Sequence, residues 1–311
     1  MPRMVSPCRN GEAEADGHGR KCNLRVAPKG GRLGRRFAQA IRMLIRATNE
    51  LIRIMLDPVC AACTAPLDRP LSSPVCGACW AAVPLLTAPW CERCGDALAS
   101  RSATDALCAH CRRQPPVLHA ARSAGRYDGS LRQIVHAFKY DGRRVLSAAL
   151  AAMMRDVGVD LLADADAVVP VPLHPWRAFR RGFNQADDLA RHLGRPVARL
   201  LRRRAGGVPQ AGLSAARRQT NVRDAFALRR LVRVGEHVRG ARAEPLVIQV
   251  TRSWRVRGRS LVLIDDVMTT GATLDACARL LLDAGARSVC ALTVARAVAG
   301  QPAQPPRPRR P

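Results

Sequence analysis

Aromatic side chains are scarce in this 311-residue chain: five Phe, four Trp and two Tyr, or 4% of residues. With so few rings, no platform on which unpaired nucleic-acid bases could stack is evident from sequence. Lysine is nearly missing as well. Lys21, Lys29 and Lys139 are the only lysines, although Lys and Arg together number 51 against 24 Asp and Glu, a formal net charge of +27. Arginine therefore carries the charge. Such a chain favours phosphate-bearing partners, nucleic acid included; arginine and alanine enrichment can equally follow from genome base composition. No apolar run of about 18 residues occurs, which excludes a transmembrane helix. The first residues lack the apolar core and cleavage site of a secretory leader. Together these absences predict the cytoplasm, where thiols stay reduced.

Cysteine, by contrast, is plentiful and ordered. Eight of the 12 cysteines form four Cys-x-x-Cys pairs: Cys60/Cys63, Cys76/Cys79, Cys91/Cys94 and Cys108/Cys111. Each pair can grip a metal from one tight knuckle, and four thiolates complete a tetrahedral Zn²⁺ site. The spacing predicts two structural zinc ribbons in tandem, with adjacent knuckles paired by default and an interleaved pairing open. Disulfides are the alternative, and four regular pairs in a reducing compartment argue against them. With every thiolate used, no coordination position is left for catalysis. His110, inside the last knuckle, reads as a surface loop residue. Cys277 and Cys290 read as core, and Cys8 and Cys22 as free thiols.

Residues 261–273 read Leu-Val-Leu-Ile-Asp-Asp-Val-Met-Thr-Thr-Gly-Ala-Thr. The apolar run Leu261 to Ile264 predicts a buried parallel strand. Asp265 and Asp266 follow at its C-terminal end, where open α/β sheets bind ligands. Leu274, Cys277, Ala278, Leu281 and Leu282 then recur at helical spacing, and Gly285 is a natural stop. Thr269, Thr270, Gly271, Ala272 and Thr273 make the turn, whose backbone N–H groups and hydroxyls suit a phosphate. Two carboxylates beside a phosphate site suit a sugar phosphate, with ribose hydroxyls on the acids. This stretch resembles the signature loop of type I phosphoribosyltransferases, which bind phosphoribosyl pyrophosphate (PRPP).

A second strand, Ala167 to Val171, runs into Pro172-Leu173-His174-Pro175-Trp176 and then a basic turn with Arg180, Arg181 and Gly182. Arg180 and Arg181 suit a diphosphate through charge-assisted bonds, or are simply solvated. His174 reads as a hydrogen-bonding loop residue. Tyr127-Asp128-Gly129 reads as a turn between strands, and Ile134, Val135 and Phe138 mark a helix carrying Lys139. Lys139 stands alone among arginines, either by chance or because a compact ammonium is wanted there for phosphate. Pro209–Leu213 and Arg217–Phe226 form a basic excursion: a hood over the sugar phosphate, a nucleic-acid surface or a solvated connector.

In this order the pieces resemble the ComF/GntX competence-type family. The resemblance rests on the double Cys-x-x-Cys module, Phe138 to Arg144, Val169 to His174, Arg181 to Gln185, Pro209-Gln210, Asn221 to Arg223 and Asp265 to Thr273. It implies an α/β protein: a type I phosphoribosyltransferase fold, mainly parallel sheet flanked by helices, preceded by a small double zinc-ribbon module. It also implies PRPP bound with Mg²⁺, Asp265 and Asp266 as catalytic carboxylates, and handling of single-stranded DNA with a helicase-like uptake partner. The alternative is a non-catalytic factor that binds single-stranded DNA or senses PRPP.

The expected organisation is a disordered segment over 1–33, or an over-extended start with Met43 as the true one. An amphipathic helix follows over 34–57, packed on its own domain or lying at a membrane interface. The ribbons occupy 58–115 and the phosphoribosyltransferase-like domain 120–298, with an insertion at 231–257. A Pro- and Arg-rich tail, expected to be disordered, covers 299–311.

Overall fold

The computed structural model describes residues 32–98, 106–204, 225–229, 234–235, 248–249 and 256–297. The described residues up to Ala47 belong to one unit and those from Thr48 onward to a second. The expectations for 1–31, for Cys8 and Cys22, for the basic excursion over Pro209–Leu213 and Arg217–Phe226 up to residue 224, and for 298–311 fall outside the described residues. So does most of the 231–257 insertion.

Helix α1 spans Arg32–Leu56. Of its second-unit part, Leu51, Ile54 and Met55 are exposed. Asn49 is the buried exception, and its Oδ1 accepts from Leu71 N–H at 3.1 Å. Among the described residues, no helix is long and apolar enough to cross a membrane.

The ribbons carry two short helices, α2 (Gly77–Ala81) and α3 (Ala109–Arg113). The chain then enters a seven-stranded sheet. Its parallel part is β1 (Ala121–Arg126), β9 (Ser288–Arg296), β8 (Ser260–Met268), β2 (Ala167–Pro170) and β3 (Val197–Ala198), in that spatial order. The two-residue strands β6 (Val234–Gly235) and β7 (Ile248–Gln249) extend it antiparallel beyond β3. A separate hairpin joins β4 (Leu201–Arg203) to β5 (Phe226–Leu228). Helices α4 (Gly129–Tyr140), α5 (Leu146–Val157), α6 (Val159–Ala163), α7 (Pro175–Arg181), α8 (Gln185–Ala190) and α9 (Ala272–Asp283) connect the strands.

Side chains of a strand alternate between faces, and a parallel sheet covered on both sides buries both sets. Strand β8 shows this directly. Val262 and Ile264 pack into the cluster built on Leu131, Ile134, Phe138 and Leu150 of α4 and α5. Leu261 and Leu263 pack into the opposite cluster, with Leu274, Cys277 and Leu281 of α9 and Phe226 of β5. Cys277 and Cys290 are buried core residues, as their apolar surroundings in the sequence predict.

Two local readings change, and one strand is new. Strand β8 does not end at Ile264: its ladder with β9 continues through Asp265↔Thr293 and Val267↔Ala295 to Met268↔Arg296. The two acids therefore lie inside the strand. The turn at Asp128 leads from a strand into a helix, not between strands, because Asp128 Oδ1 accepts the first N–H of α4, from Gly129, at 2.8 Å. Strand β1, with the sequence Ala-Arg-Ser-Ala-Gly-Arg, has no β-branched residue and no run to announce it. It is made by its partners, β9 on one side and the ribbon on the other: Leu86 N–H donates to Ala124 O at 3.0 Å and Arg126 N–H to Pro84 O at 2.8 Å. That pairing covers what would otherwise be a bare sheet edge.

Helix α9 ends as its sequence predicts. Ala286 N–H donates to Leu281 O at 3.0 Å and Gly285 N–H to Leu282 O at 2.8 Å, the paired bonds of a glycine-terminated helix.

Candidate functional site

A cleft of about 210 Å³ opens above the C-terminal ends of β2 and β8, lined by Lys139, Arg177, Arg181, Arg203, Asp265 and Asp266 among others. Its chemistry follows from the alternation along β8. Consecutive residues face opposite sides, so the adjacent acids diverge. Asp266 meets α4, where Lys139 Nζ lies 2.7 Å from its Oδ1; both side chains are largely covered, at 15% and 12% exposure. Asp265 sits on the other side, within electrostatic reach of Arg203 on β4 and Cys277 on α9. Its Oδ1 accepts Asp266 N–H at 2.8 Å.

These placements set the charges. Burial, then the neighbouring Asp266, pushes the Asp265 carboxyl up to about 7. Burial opposes the charge on Lys139, but Asp266 outweighs it and holds the ammonium above its ordinary value. Arg203 is shifted the other way, by burial and then by Arg177. Its guanidinium stacks over Phe226 at 5.2 Å, a contact that fixes its plane. Among the described residues, Arg177, Arg181 and Arg203 have no carboxylate partner. Other arginines nearby do: Arg144 and Arg191 bind Asp188, and Arg199 binds Asp187.

The residues singled out from sequence are distributed unevenly. Asp265, Asp266, Thr273, Lys139 and Arg181 line the cleft together. Thr269 and Thr270 are exposed on the turn beside it, and Gly271, at φ +82°, N-caps α9. A side chain at Gly271 would be strained by that backbone and would meet Met268 Cε at 3.0 Å. Ala272 N–H donates to Thr270 Oγ1 at 3.5 Å. Arg180 is exposed and does not line the cleft. Helical geometry explains the split: at about 100° per residue, Arg181 lies about 40° to one side of Arg177 and Arg180 about 60° to the other, turned towards Trp176. Lys139 does not present a free ammonium, because Asp266 engages it. His174 acts as the hydrogen-bonding residue expected: its Nδ1 caps α7, accepting Trp176 N–H at 3.3 Å.

Arg177 and Arg203 were missed as site residues. Arg177 had a signal, its four-residue spacing from Arg181. Arg203 had none, since only the β4–β5 hairpin carries it over the cleft.

The eight knuckle cysteines gather into two groups, Cys60/Cys63/Cys76/Cys79 and Cys91/Cys94/Cys108/Cys111, with all sulfurs of a group within 4.8 Å of one another. The adjacent pairing is therefore the one realised. Cys63 Sγ lies 3.7 Å from Cys76 Sγ, and Cys94 Sγ 3.7 Å from Cys108 Sγ. Zn–S bonds of about 2.3 Å in a tetrahedron place sulfurs about 3.8 Å apart, so the donor sets fit Zn²⁺. Cys76 N–H and Ala62 N–H donate to Cys60 Sγ at 3.3 and 3.4 Å, bonds that orient and stabilise a thiolate ligand. His110 is exposed and outside both groups.

Arg296, at the end of β9, ties the second ribbon to the sheet. Its Nη1 donates to Cys94 O at 2.8 Å and lies 3.2 Å from Met268 Sδ, while Nε lies 3.3 Å from Asp96 Oδ1.

Comparison with known proteins agrees with both halves of this architecture. Residues 51–112 match the double zinc ribbon domain, and residues 179–307 the phosphoribosyl transferase domain. The chain is 29% identical over 219 residues to competence protein F of Haemophilus influenzae, covering 67% of this chain and 85% of that protein. It is 31% identical over 212 residues to the DNA utilization protein YhgH of Salmonella typhimurium, covering 64% and 80%. Over 222 residues it is 28% identical to competence protein ComFC of Bacillus subtilis, covering 68% and 79%.

Proposed function

Because this chain belongs to the ComF/GntX competence-type family, in which a double zinc ribbon precedes a phosphoribosyltransferase domain, we propose that its cleft binds Mg²⁺-bearing PRPP in the service of DNA uptake. The observation that carries this reading is the pair Asp265/Asp266 on β8, facing across one cleft three arginines that have no carboxylate partner among the described residues. A cleft with both charge signs suits a ligand that has hydroxyls at one end and phosphates at the other.

In this reading Asp265 and Asp266 accept hydrogen bonds from the ribose hydroxyls. Lys139 holds Asp266 in place through their ion pair. The turn from Thr269 to Thr273 holds the 5′-phosphate at the start of α9, where backbone N–H groups and the helix dipole favour an anion. Arg177 and Arg181 on α7 meet the pyrophosphate, with Arg203 reaching in from the hairpin. If transfer occurs, an acceptor nucleophile bonds to the anomeric carbon as the bond to pyrophosphate breaks. The carboxylates then stabilise the positive charge that develops on the sugar. The arginines stabilise the negative charge on the leaving group. The zincs act structurally. The relatives named competence protein and DNA utilization protein support the DNA-uptake role.

Calorimetric titration of PRPP and Mg²⁺ into zinc-loaded protein tests this reading. Saturable binding is expected, weakened about 100-fold or more in an Asp265→Asn/Asp266→Asn double variant, since hydrogen bonds to charged groups are worth about 1.5–3 kcal/mol each. Affinity should rise with pH through about 7, because the ribose hydroxyls need Asp265 ionised. Absence of binding by folded wild-type protein overturns the reading.

A further inference from the structure

Trp176 and Phe179 stand out on the surface. Trp176 is 65% and Phe179 83% exposed, and their rings lie 6.3 Å apart with planes only 25° from parallel. Burying such a ring would contribute about 1.5–3 kcal/mol, yet the fold leaves two side by side in water. Both sit on the seven-residue helix α7, three positions apart and hence on one face. Arg180, four positions after Trp176, shares that face and is exposed. Arg177 and Arg181 occupy the adjoining face and line the cleft. The helix carries no acid, and among the described residues none of its three arginines has a carboxylate partner. The nearest acidic helix, α8, has Asp187 and Asp188 neutralised by Arg144, Arg191 and Arg199. At the lip of the cleft a third ring, Tyr140, is half-exposed beneath the guanidinium of Arg181 at 4.6 Å.

We propose that the outer face of α7, formed by Trp176, Phe179 and Arg180, is a stacking platform for the unpaired bases of single-stranded DNA. Exposed rings interleaved with uncompensated guanidiniums match both halves of that ligand, π-faces for the bases and positive charge for the backbone. A duplex hides its base faces and fits only the charge. The proposal rests on the DNA-uptake part of the reading above and is independent of sugar-phosphate binding.

Its test uses fluorescence anisotropy with three labelled probes of about 20 nucleotides: oligothymidylate, an abasic strand of equal charge, and a duplex. Wild-type protein should prefer oligothymidylate to the abasic strand. A Trp176→Ala/Phe179→Ala variant should lose about 30-fold in affinity for oligothymidylate and nothing for the abasic strand, erasing the preference. Arg180→Gln should weaken both single strands alike and flatten the salt dependence slightly. Equal binding of oligothymidylate and the abasic strand by wild-type protein overturns the proposal. Unchanged binding by the aromatic variant does so as well, and leaves DNA uptake standing. Failure of wild-type protein to bind any single strand removes both, while the PRPP titration stands or falls separately.

Discussion

Cys60 and Cys91 head two knuckles of one design. Thr64 N–H donates to the carbonyl of Cys60 and Gly95 N–H to that of Cys91, both at 2.9 Å. Matching antiparallel bridges, Val59↔Pro66 and Trp90↔Ala97, close the two loops. Beyond the knuckle the ribbons diverge. Cys60, Ala62, Leu67 and Val75 of the first belong to the same buried cluster as α4, α5 and one face of the sheet. Among the described residues, the buried cluster of the second is its own Cys91, Cys94 and Cys111, with no other fully buried member. The second ribbon is instead fastened by polar contacts: Arg296 to Cys94 O, and Ala121 N–H to Arg93 O at 2.7 Å. Two copies of one metal-binding unit thus draw stability from different sources, one from shared apolar burial and one almost wholly from metal and hydrogen bonds.

Removing ligands from each ribbon in turn should expose that difference most strongly. Binding of a structural zinc contributes about 10 kcal/mol or more to folding of its site. Cys91→Ser/Cys94→Ser should unfold the second ribbon locally, with amide protection lost over 90–98 and 106–113 and kept in the sheet. Cys60→Ser/Cys63→Ser should also lower the melting temperature of the sheet, because its core is shared. Zinc content should fall from two per chain to one in either variant, and hydrogen exchange reads where protection is lost. Equal spread of the damage in both variants would remove the distinction.

Knuckle glycine and threonine should respond with opposite sign. Gly95 has φ +71°, and an added Cβ would sit 2.5 Å from Ala121 O, a backbone atom that cannot move aside. Gly95→Ala should therefore cost about 3 kcal/mol by denaturant titration. Thr64 already holds φ +64°. Thr64→Gly relieves that strain and should be neutral or stabilising by up to about 1 kcal/mol. Between these lies Arg296→Met, which leaves Cys94 O and Asp96 without their cationic partner. Asp96 is 37% exposed, so water compensates in part, and the cost should be about 2 kcal/mol. Its effect should appear as weaker zinc retention in the second ribbon and unchanged retention in the first.

Legibility from sequence followed the range of the interaction. The knuckles could be read because each needs only two cysteines three residues apart. The loop after β8 could be read because strand, acids, turn and helix are contiguous. Strand β1 was hidden because its pairing partners are far along the chain and its own residues are small or polar. Arg203 was hidden for the same reason: a hairpin places it, and its neighbours Arg177 and Asp265 lie far from it in sequence. The scarcity of aromatics argued against a stacking platform, yet composition says nothing about where rings sit. Two of the eleven Phe, Trp and Tyr residues are exposed side by side on α7.

By itself the sequence determined the fold class, the cysteine knuckles and the strand–turn–helix string around Asp265 to Thr273, because periodicity and short spacing act within one element. Tertiary structure alone decided which knuckles share a metal, that Lys139 closes on Asp266, and that three arginines with no carboxylate partner among the described residues face two acids across one cleft. Those outcomes depend on groups distant in the chain being brought within a few ångströms, where desolvation and charge act on them together.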